Sequence, residues 1–428
     1  MRAARRAVAA VVVLTLAVSA CGGPDPSDAT KDTGDLEVVS WWTSGSEAAA
    51  LDTLLAGLRQ AHPGVEAVNA AVAGGAGSEA IVELADRLRR RDPPDVWQTF
   101  AGESVQGYAE RGVVREVSSV FSTGDLDTRM HPTILRSLMH DGKPYGVPTG
   151  SHRGNVLWFN APLLARAGVT APSGVYSPAQ FLADLRRVEE SGATPLCLGA
   201  GDPFTTVELF ENVLLGTIGA AGWHDMVDDR LDWRGDAVHT ALRSFGDLLA
   251  YADPQADGMT WDAATKKLAG GGCAFESMND SAYGELLADG AREGAGFGAV
   301  PFPGTGDNYL AVVDVFVAAT EADNAKNALA FLGGISDPAT QLAFSRAKGS
   351  VPVVRDVDVA ALPPYQREAS RSLWNSPVLL SVTHGEAMNP QFQEGFYDAV
   401  STYVRTRDPD AFADTLEDAV SRDRRLPR

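Results

Sequence analysis

The chain has 428 residues, 45% of them hydrophobic, with 36 basic against 56 acidic side chains and a formal charge of −20. Such an acidic surface excludes nucleic acid and anionic lipid as partners, because it repels polyanions. The length exceeds what one core usually organises, so two domains are expected.

Residues 1–20 stand apart from the fold. Arg2, Arg5 and Arg6 precede an apolar run over 7–20 that is too short to span a bilayer as a mature helix, the layout of a cleaved export signal. The run closes on Leu16-Ala17-Val18-Ser19-Ala20-Cys21, which resembles the lipobox of bacterial lipoproteins. That resemblance implies that Cys21 is lipidated and begins the mature chain. Residues 21–35 are then the lipidated N-terminus and a linker, rich in Gly, Pro, Asp, Ser and Thr and therefore flexible.

The folded part opens on a β-branched run, Leu36, Val38 and Val39, which predicts a buried strand ending at Trp41 and Trp42. Gly45 turns the chain, Ser46 suits an N-cap, and Leu51, Leu54, Leu55 and Leu58 follow at helical spacing until His62-Pro63-Gly64. In open α/β sheets ligands bind at the carboxyl ends of strands, which makes Trp41, Trp42 and Glu47 a candidate binding loop. A pyranose suits it: its apolar C–H face lies on an indole, and its hydroxyls donate to a carboxylate. Neighbouring strand residues point to opposite faces, so either indole could face the ligand while the other packs in the core.

A second strand is predicted over 65–72. Gly74-Gly75-Ala76-Gly77 has neither the Lys-Ser/Thr of a phosphate loop nor a dinucleotide-binding spacing, and reads as a tight turn before a helix carrying Ile81, Leu84, Ala85 and Leu88. After the breaker Asp92-Pro93-Pro94, a strand over 95–98 would present Gln98 at its end. Helical patterns cover 105–110 and 128–140. Asp141-Gly142 is a hairpin signal, and Pro144 and Pro148 suit an edge or a crossing between domains. His152-Arg153-Gly154-Asn155 leads into a strand over 156–160. Helices are expected from Pro162 to Gly168, from Ser177-Pro178 to Gly192, and over 205–219, 236–251 and 261–268.

A strand over 273–278 then precedes the loop Asn279-Asp280-Ser281. The segment 297–303 reads as a second crossing, and 310–319 as a strand carrying Asp314 among valines. Helices over 325–332 and 338–347, a turn at 348–352 and three further helical patterns complete the chain, with Val382-Thr383-His384-Gly385 between the first two of the three. Cys197 and Cys273 lie in strand-like runs of a chain that meets an oxidising compartment. A disulfide and two buried thiols both fit. The seven histidines show no metal-ligand spacing.

Taken in order, WWTSGSEAAAL, PPDVWQ, DGKPYGVP, WFNAPLLARAGV, ESMND, VPFPG and KGSVPVV resemble the solute-binding lipoproteins of ABC sugar importers. The WWTSGSEAAA start, His152-Arg153 and Val382-Thr383-His384-Gly385 are similar to the glucose- and mannose-binding branch. The resemblance implies a two-lobed α/β fold of the type II periplasmic-binding-protein kind, with crossing strands as hinge and the ligand in the cleft. By position one lobe is 36–147 plus 304–347 and the other 148–303 plus 348–428. The family's aromatic pair falls on Trp41 and Trp42, its acid on Glu47, its strand-end amide on Gln98, its basic residue after the hinge on His152, its loop acid on Asp280 and its late histidine on His384. Asp314 matches an acid after the later crossing, or is a structural carboxylate satisfied by backbone N–H groups. Two departures stand out: Ser281 follows the loop acid where relatives carry a large aromatic, and Val175-Tyr176-Ser177 replaces the usual Thr-Trp.

The expected protein is an extracytoplasmic, membrane-anchored, monomeric lipoprotein with no cofactor or metal. It would bind a monosaccharide or small oligosaccharide and deliver it to permease subunits served by a cytoplasmic ATPase. The competing readings are a secreted glycoside-acting enzyme using Glu47 and Asp280 as acid and base, and a metal- or siderophore-binding lipoprotein.

Overall fold

The computed structural model describes residues 35–423 except Ser44. The export signal, Cys21 and all but the last residue of the linker lie outside the described residues. Twelve strands are described: β1 (Leu36–Val39), β2 (Ala67–Asn69), β3 (Val96–Phe100), β4 (Met139–His140), β5 (Lys143–Pro144), β6 (Val147–Arg153), β7 (Val156–Asn160), β8 (Leu196–Cys197), β9 (Phe275–Ser277), β10 (Phe297–Pro301), β11 (Tyr309–Ala318) and β12 (Val378–Leu380). The first sheet runs β2-β1-β3-β11-β12, with β6 also paired to β11; the second runs β10-β7-β9-β8. In the first, β1 is parallel to β2 and β3, while β11 is antiparallel to β3.

Each sheet is covered by helices whose apolar stripes make its core. The helix Gly45–Ala61 buries Ala50, Leu51, Leu54, Leu55 and Leu58, each leucine contributing roughly 1.5–3 kcal/mol relative to exposure. They join Leu36, Val38, Trp97, Phe316, Phe331 and Phe344 in one apolar cluster. A second cluster gathers Leu157, Phe181, Leu185, Phe210, Phe245, Phe396 and Phe412 around the other sheet. Val351, Val353, Val354, Ala369 and Leu373, late in the chain, pack into the first cluster. Among the described residues no helix is long and apolar enough to cross a membrane.

The chain crosses between sheets where β6 gives way to β7 and where β10 gives way to β11. Asn155 pins the two crossings together: its Nδ2 donates to the Thr305 and Asn308 carbonyls at 3.2 and 3.0 Å, and its Oδ1 accepts from Leu310 N–H at 3.0 Å. On β11 the register to β6 shifts between Asp314 and Val315, leaving Thr149 as the extra residue of a bulge. Such a bulge re-aims side chains beside it, and here it lies at Asp314.

Three local expectations need correction. The helical pattern over 128–140 is broken into the helices Leu126–Arg129 and Pro132–Ser137 followed by β4. Pro132 has no N–H and disfavours a helical residue before it, so His131 is extended and its imidazole instead caps Thr133 N–H at 3.2 Å. The helix expected to end at Gly219 runs over Pro203–Val227, with Gly219 at φ 64° as an internal kink. The second strand shrinks to Ala67–Asn69, an edge whose side chains are half exposed.

Cys197, at the end of β8, and Cys273, just before β9, are joined as a disulfide with Cα atoms 5.7 Å apart. It lies in a third apolar cluster with Trp158, Phe204, Tyr283 and Phe297.

Candidate functional site

The carboxyl ends of β1 and β3 point at the gap between the sheets. Ser40 Oγ accepts from Trp42 N–H at 3.3 Å, and Gln98 Oε1 accepts from Trp41 N–H at 3.4 Å. The amide of Gln98, expected at a strand end but found in the middle of β3 because the strand runs on to Phe100, therefore holds the aromatic pair in place. Trp41 lies 5.1 Å from the Phe100 ring and presses on Gly77, where a Cβ would sit 2.6 Å from the indole. Only glycine allows that approach, and its φ of 79° is left-handed as well. Trp42 is wedged against Phe316 and Phe344, and its Nε1–H is buried without a partner.

A chain of alternating charges runs behind and across the gap. Lys348 Nζ, at the end of the helix Pro338–Lys348, donates to Glu47 Oε1 and to Ser281 Oγ, both at 2.9 Å. His152 Nδ1 is 2.5 Å from Asp280 Oδ1, and its Nε2 is 3.2 Å from Asp314 Oδ2, an ion-pair contact without hydrogen-bond alignment. Asp314 Oδ1 accepts from Gln98 Nε2 at 2.8 Å, and Asp280 Oδ2 accepts from the Tyr365 hydroxyl at 3.3 Å. So Asp314 is satisfied by side chains, in place of the backbone N–H groups that a purely structural carboxylate was expected to use.

Burial works against charge here, and the partners decide the outcome. Burial and Lys348 push the His152 pKa down, yet the close contacts with Asp280 and Asp314 outweigh them and hold it above the ordinary histidine value. Burial raises the Asp314 carboxyl, but His152 and Lys348 bring it below its ordinary value. Lys348, though desolvated, is held up by Glu47 and Asp314. Glu47 is raised by burial in spite of Lys348. His384 has no such partner: burial lowers its pKa to about 3, so the imidazole is neutral.

These groups enclose a cavity of about 30 Å³ between the sheets, room for a water or two. Of the residues singled out from sequence, Trp41, Trp42, Glu47, His152, Asp314 and His384 line it. Gln98 and Asp280 stand one layer behind, bonded to Asp314 and His152. The wall also contains Asn279 and Ser281, noted from sequence only as the neighbours of Asp280, and Phe100, Phe204, Trp261 and Lys348, which were not singled out. Trp261 opens a helix and Phe204 lies in one, so both read as ordinary packing. Lys348 reads as a cation complementing a helix C-terminus; only its near-complete burial, 1% exposed, reveals more.

Carboxylates of the second-sheet side also reach backbone of the first. Glu285 Oε1 accepts from Ser46 N–H at 2.7 Å and from its hydroxyl at 2.8 Å, so Ser46 donates at this helix start where it was expected to cap. Asp202 accepts from Trp261 N–H at 2.8 Å and from the backbone of Gly75.

A profile of the family described as bacterial extracellular solute-binding protein matches residues 42–341, more than half of the chain. The chain belongs to this family. As a member it is an extracytoplasmic protein with the two-lobed type II fold, a hinge of crossing strands and a cleft between the lobes. An uncharacterized ABC transporter extracellular-binding protein of Pyrococcus horikoshii is 26% identical over 422 residues, covering 97% of this chain and 95% of that protein. A probable sugar-binding periplasmic protein of Rhizobium meliloti is 28% identical, covering 86% of this chain and 88% of the relative. Among solved structures, the bacterial solute receptor AcbH, described as having an exclusive preference for β-D-galactopyranose, superposes with a TM-score of 0.79. It is 16% identical and covers 91% of this chain and 98% of that one, a likeness of fold.

Proposed function

We propose that this protein is the substrate-binding component of an ABC sugar importer, taking a monosaccharide of the glucose or mannose type in the cavity between its sheets. The observation that carries the reading is the convergence of the Trp41 and Trp42 indoles with Glu47, Asp314, His152 and His384 on one cavity, whose facing wall of Phe204, Trp261, Asn279 and Ser281 comes from the second-sheet side. Indoles suit the C–H face of a pyranose and the polar groups its hydroxyl rim. The Rhizobium relative, named as sugar-binding, supports the same class.

In this reading Gln98 and Asp280 position Trp41, Asp314 and His152, and Lys348 orders Glu47. A sugar held by residues of both lobes has to pass the contacts that join them, so the lobes part to admit it and close over it. The lobe division follows the two apolar clusters: 36–147 with 304–347 on one side and 148–303 with most of 348–428 on the other, the 351–373 segment joining the first. An export signal over 1–20, a lipid on Cys21 and the 21–35 linker tether a monomer beside permease subunits powered by a cytoplasmic ATPase. The alternative of a glycoside-acting enzyme finds less support, because Glu47 is tied to Lys348 and Asp280 is enclosed by His152 and Tyr365.

A thermal-shift screen of the mature protein over monosaccharides tests the class, since a ligand of the folded state alone raises the melting temperature. At least one hexose should do so; a screen with no shift at millimolar sugar contradicts the proposal.

A further inference from the structure

His384 sits on the cavity wall with both ring nitrogens chemically distinct. Its ring meets Phe100 and Phe204 edgewise, at 5.1 and 5.9 Å between centroids, which sets its plane. Its Nδ1 is 3.1 Å from Ser381 Oγ. Ser381 Oγ lies 3.1 and 2.9 Å from the two carboxylate oxygens of Glu211, and also accepts from His384 N–H at 3.3 Å. Glu211, fully buried on the helix Pro203–Val227, takes Val382 N–H at 2.6 Å and Thr383 N–H at 3.2 Å on the same oxygen, Oε1.

Hydrogen counting then fixes the direction of the chain. Burial raises the Glu211 pKa against the hydrogen bonds from Thr383, Val382 and Ser381; in its ionised state the carboxylate accepts only, so the single Ser381 hydroxyl hydrogen goes to Glu211. Ser381 Oγ is left as an acceptor, and Nδ1 of the neutral imidazole must carry its hydrogen to make that bond. Nε2 keeps its lone pair. Glu208 is 3.8 Å from Nε2, beyond hydrogen-bond reach, and its oxygen at that side already accepts from Asn279 Nδ2 at 2.9 Å, while Asp314 on the same wall acts on the ring only through its charge.

We propose that Glu211, acting through Ser381, is a positioning residue that fixes the tautomer of His384, so that Nε2 faces the ligand as a hydrogen-bond acceptor. The ligand group that meets it must therefore donate, which selects a free hydroxyl at that position; this consequence rests on the sugar reading above, while the tautomer does not. The neutrality of His384, whose pKa burial lowers to about 3, keeps the same tautomer across the physiological range.

Glu211→Gln tests the chain with almost no change of shape. The amide oxygen takes the place that accepts from Val382 and Thr383, which turns the NH₂ toward Ser381 Oγ. Ser381 must then send its hydroxyl hydrogen to His384 Nδ1, and the imidazole hydrogen moves to Nε2. Long-range ¹H–¹⁵N correlation spectra of the sugar-free protein read this directly: hydrogen on Nδ1 in wild type, on Nε2 in Glu211→Gln. Ser381→Ala, which removes the acceptor, should give a mixture. Wild type with its hydrogen on Nε2, or identical spectra in all three proteins, overturns the proposal, and the wild-type spectrum decides even where a variant fails to fold.

Binding supplies the second arm, with D-glucose and its monodeoxy and monodeoxyfluoro derivatives as probes. At the hydroxyl that meets His384, wild type should lose about tenfold in affinity for deoxy and fluoro compounds alike, since neither donates. Glu211→Gln, with a donor at Nε2, should bind the fluoro compound more tightly than the deoxy one. No difference between the two proteins overturns the specificity role. Absence of glucose binding in wild type defeats the sugar reading alone, because the spectra report on the tautomer without sugar.

Discussion

Lys348 touches Glu47 and Ser281 at 2.9 Å, sits 5.5 Å from the Trp42 ring and is almost wholly buried. Removing one partner of such a pair leaves the other charge desolvated, a loss of about 3–5 kcal/mol. Lys348→Met should therefore lower urea-unfolding stability by about that amount, and Glu47→Gln in the same chain should recover part of it. A single variant as stable as wild type would show that the network does not depend on this cation. Glu276, on β9, poses the opposite case: Thr265 donates to one oxygen at 2.9 Å and the other has no partner. Burial pushes its pKa up to about 8. The folded state thus holds a proton that the unfolded state releases from about pH 4.5, so this group's contribution is full below pH 4.5 and is lost as pH rises to about 8. Glu276→Gln should remove that slope and be more stable than wild type at pH 8; parallel stability profiles would contradict it. At this scale the sequence reveals a residue when its local signal also places it at the cavity, as for Trp41, Trp42 and Glu47 at a strand end. Lys348 and Trp261 carry the signals of a helix end and a helix start, and their role arises only from burial against distant segments.

Among elements, alternating strand and helix patterns were legible because apolar periodicity and Gly/Pro punctuation agree, as in β1 with its helix and in β11, expected over 310–319 and found at Tyr309–Ala318. Pattern failed at Pro132, where one proline divides an apolar period that would otherwise read as a single helix. It also could not show the bulge at Thr149, since a register shift depends on the partner strand. The Cys197–Cys273 link was undecidable from spacing, because pairing depends on the distance between β8 and the approach to β9. With the cysteines 76 positions apart, the link should stabilise by about 2–5 kcal/mol. Cys197→Ser with Cys273→Ser should lose that amount in denaturant unfolding, and thiol titration of unreduced, denatured wild type should find no thiol at these positions. Two free thiols there would contradict the link.

For the whole molecule, the two sheets are held together by contacts that need no ligand, Glu285 on Ser46 and Asp202 on Gly75. They stabilise the closed arrangement around the cavity. On the proposed reading, sugar entry requires an open form, and a bound sugar would supply contacts from both lobes that favour closure. Solution scattering should show a smaller radius of gyration at saturating sugar than without it, and Glu285→Ala should enlarge the sugar-free value further. Equal radii in all states would mean a rigid cleft. The central claim, that one sugar occupies the cavity walled by Trp41, Trp42, Asp314 and His384, is tested most directly by calorimetric titration of glucose, mannose and galactose into wild type and Asp314→Asn. The account predicts one site per chain for at least one hexose and a marked loss of affinity in the variant; no binding heat for any hexose, or saturation unaffected by Asp314→Asn, contradicts it.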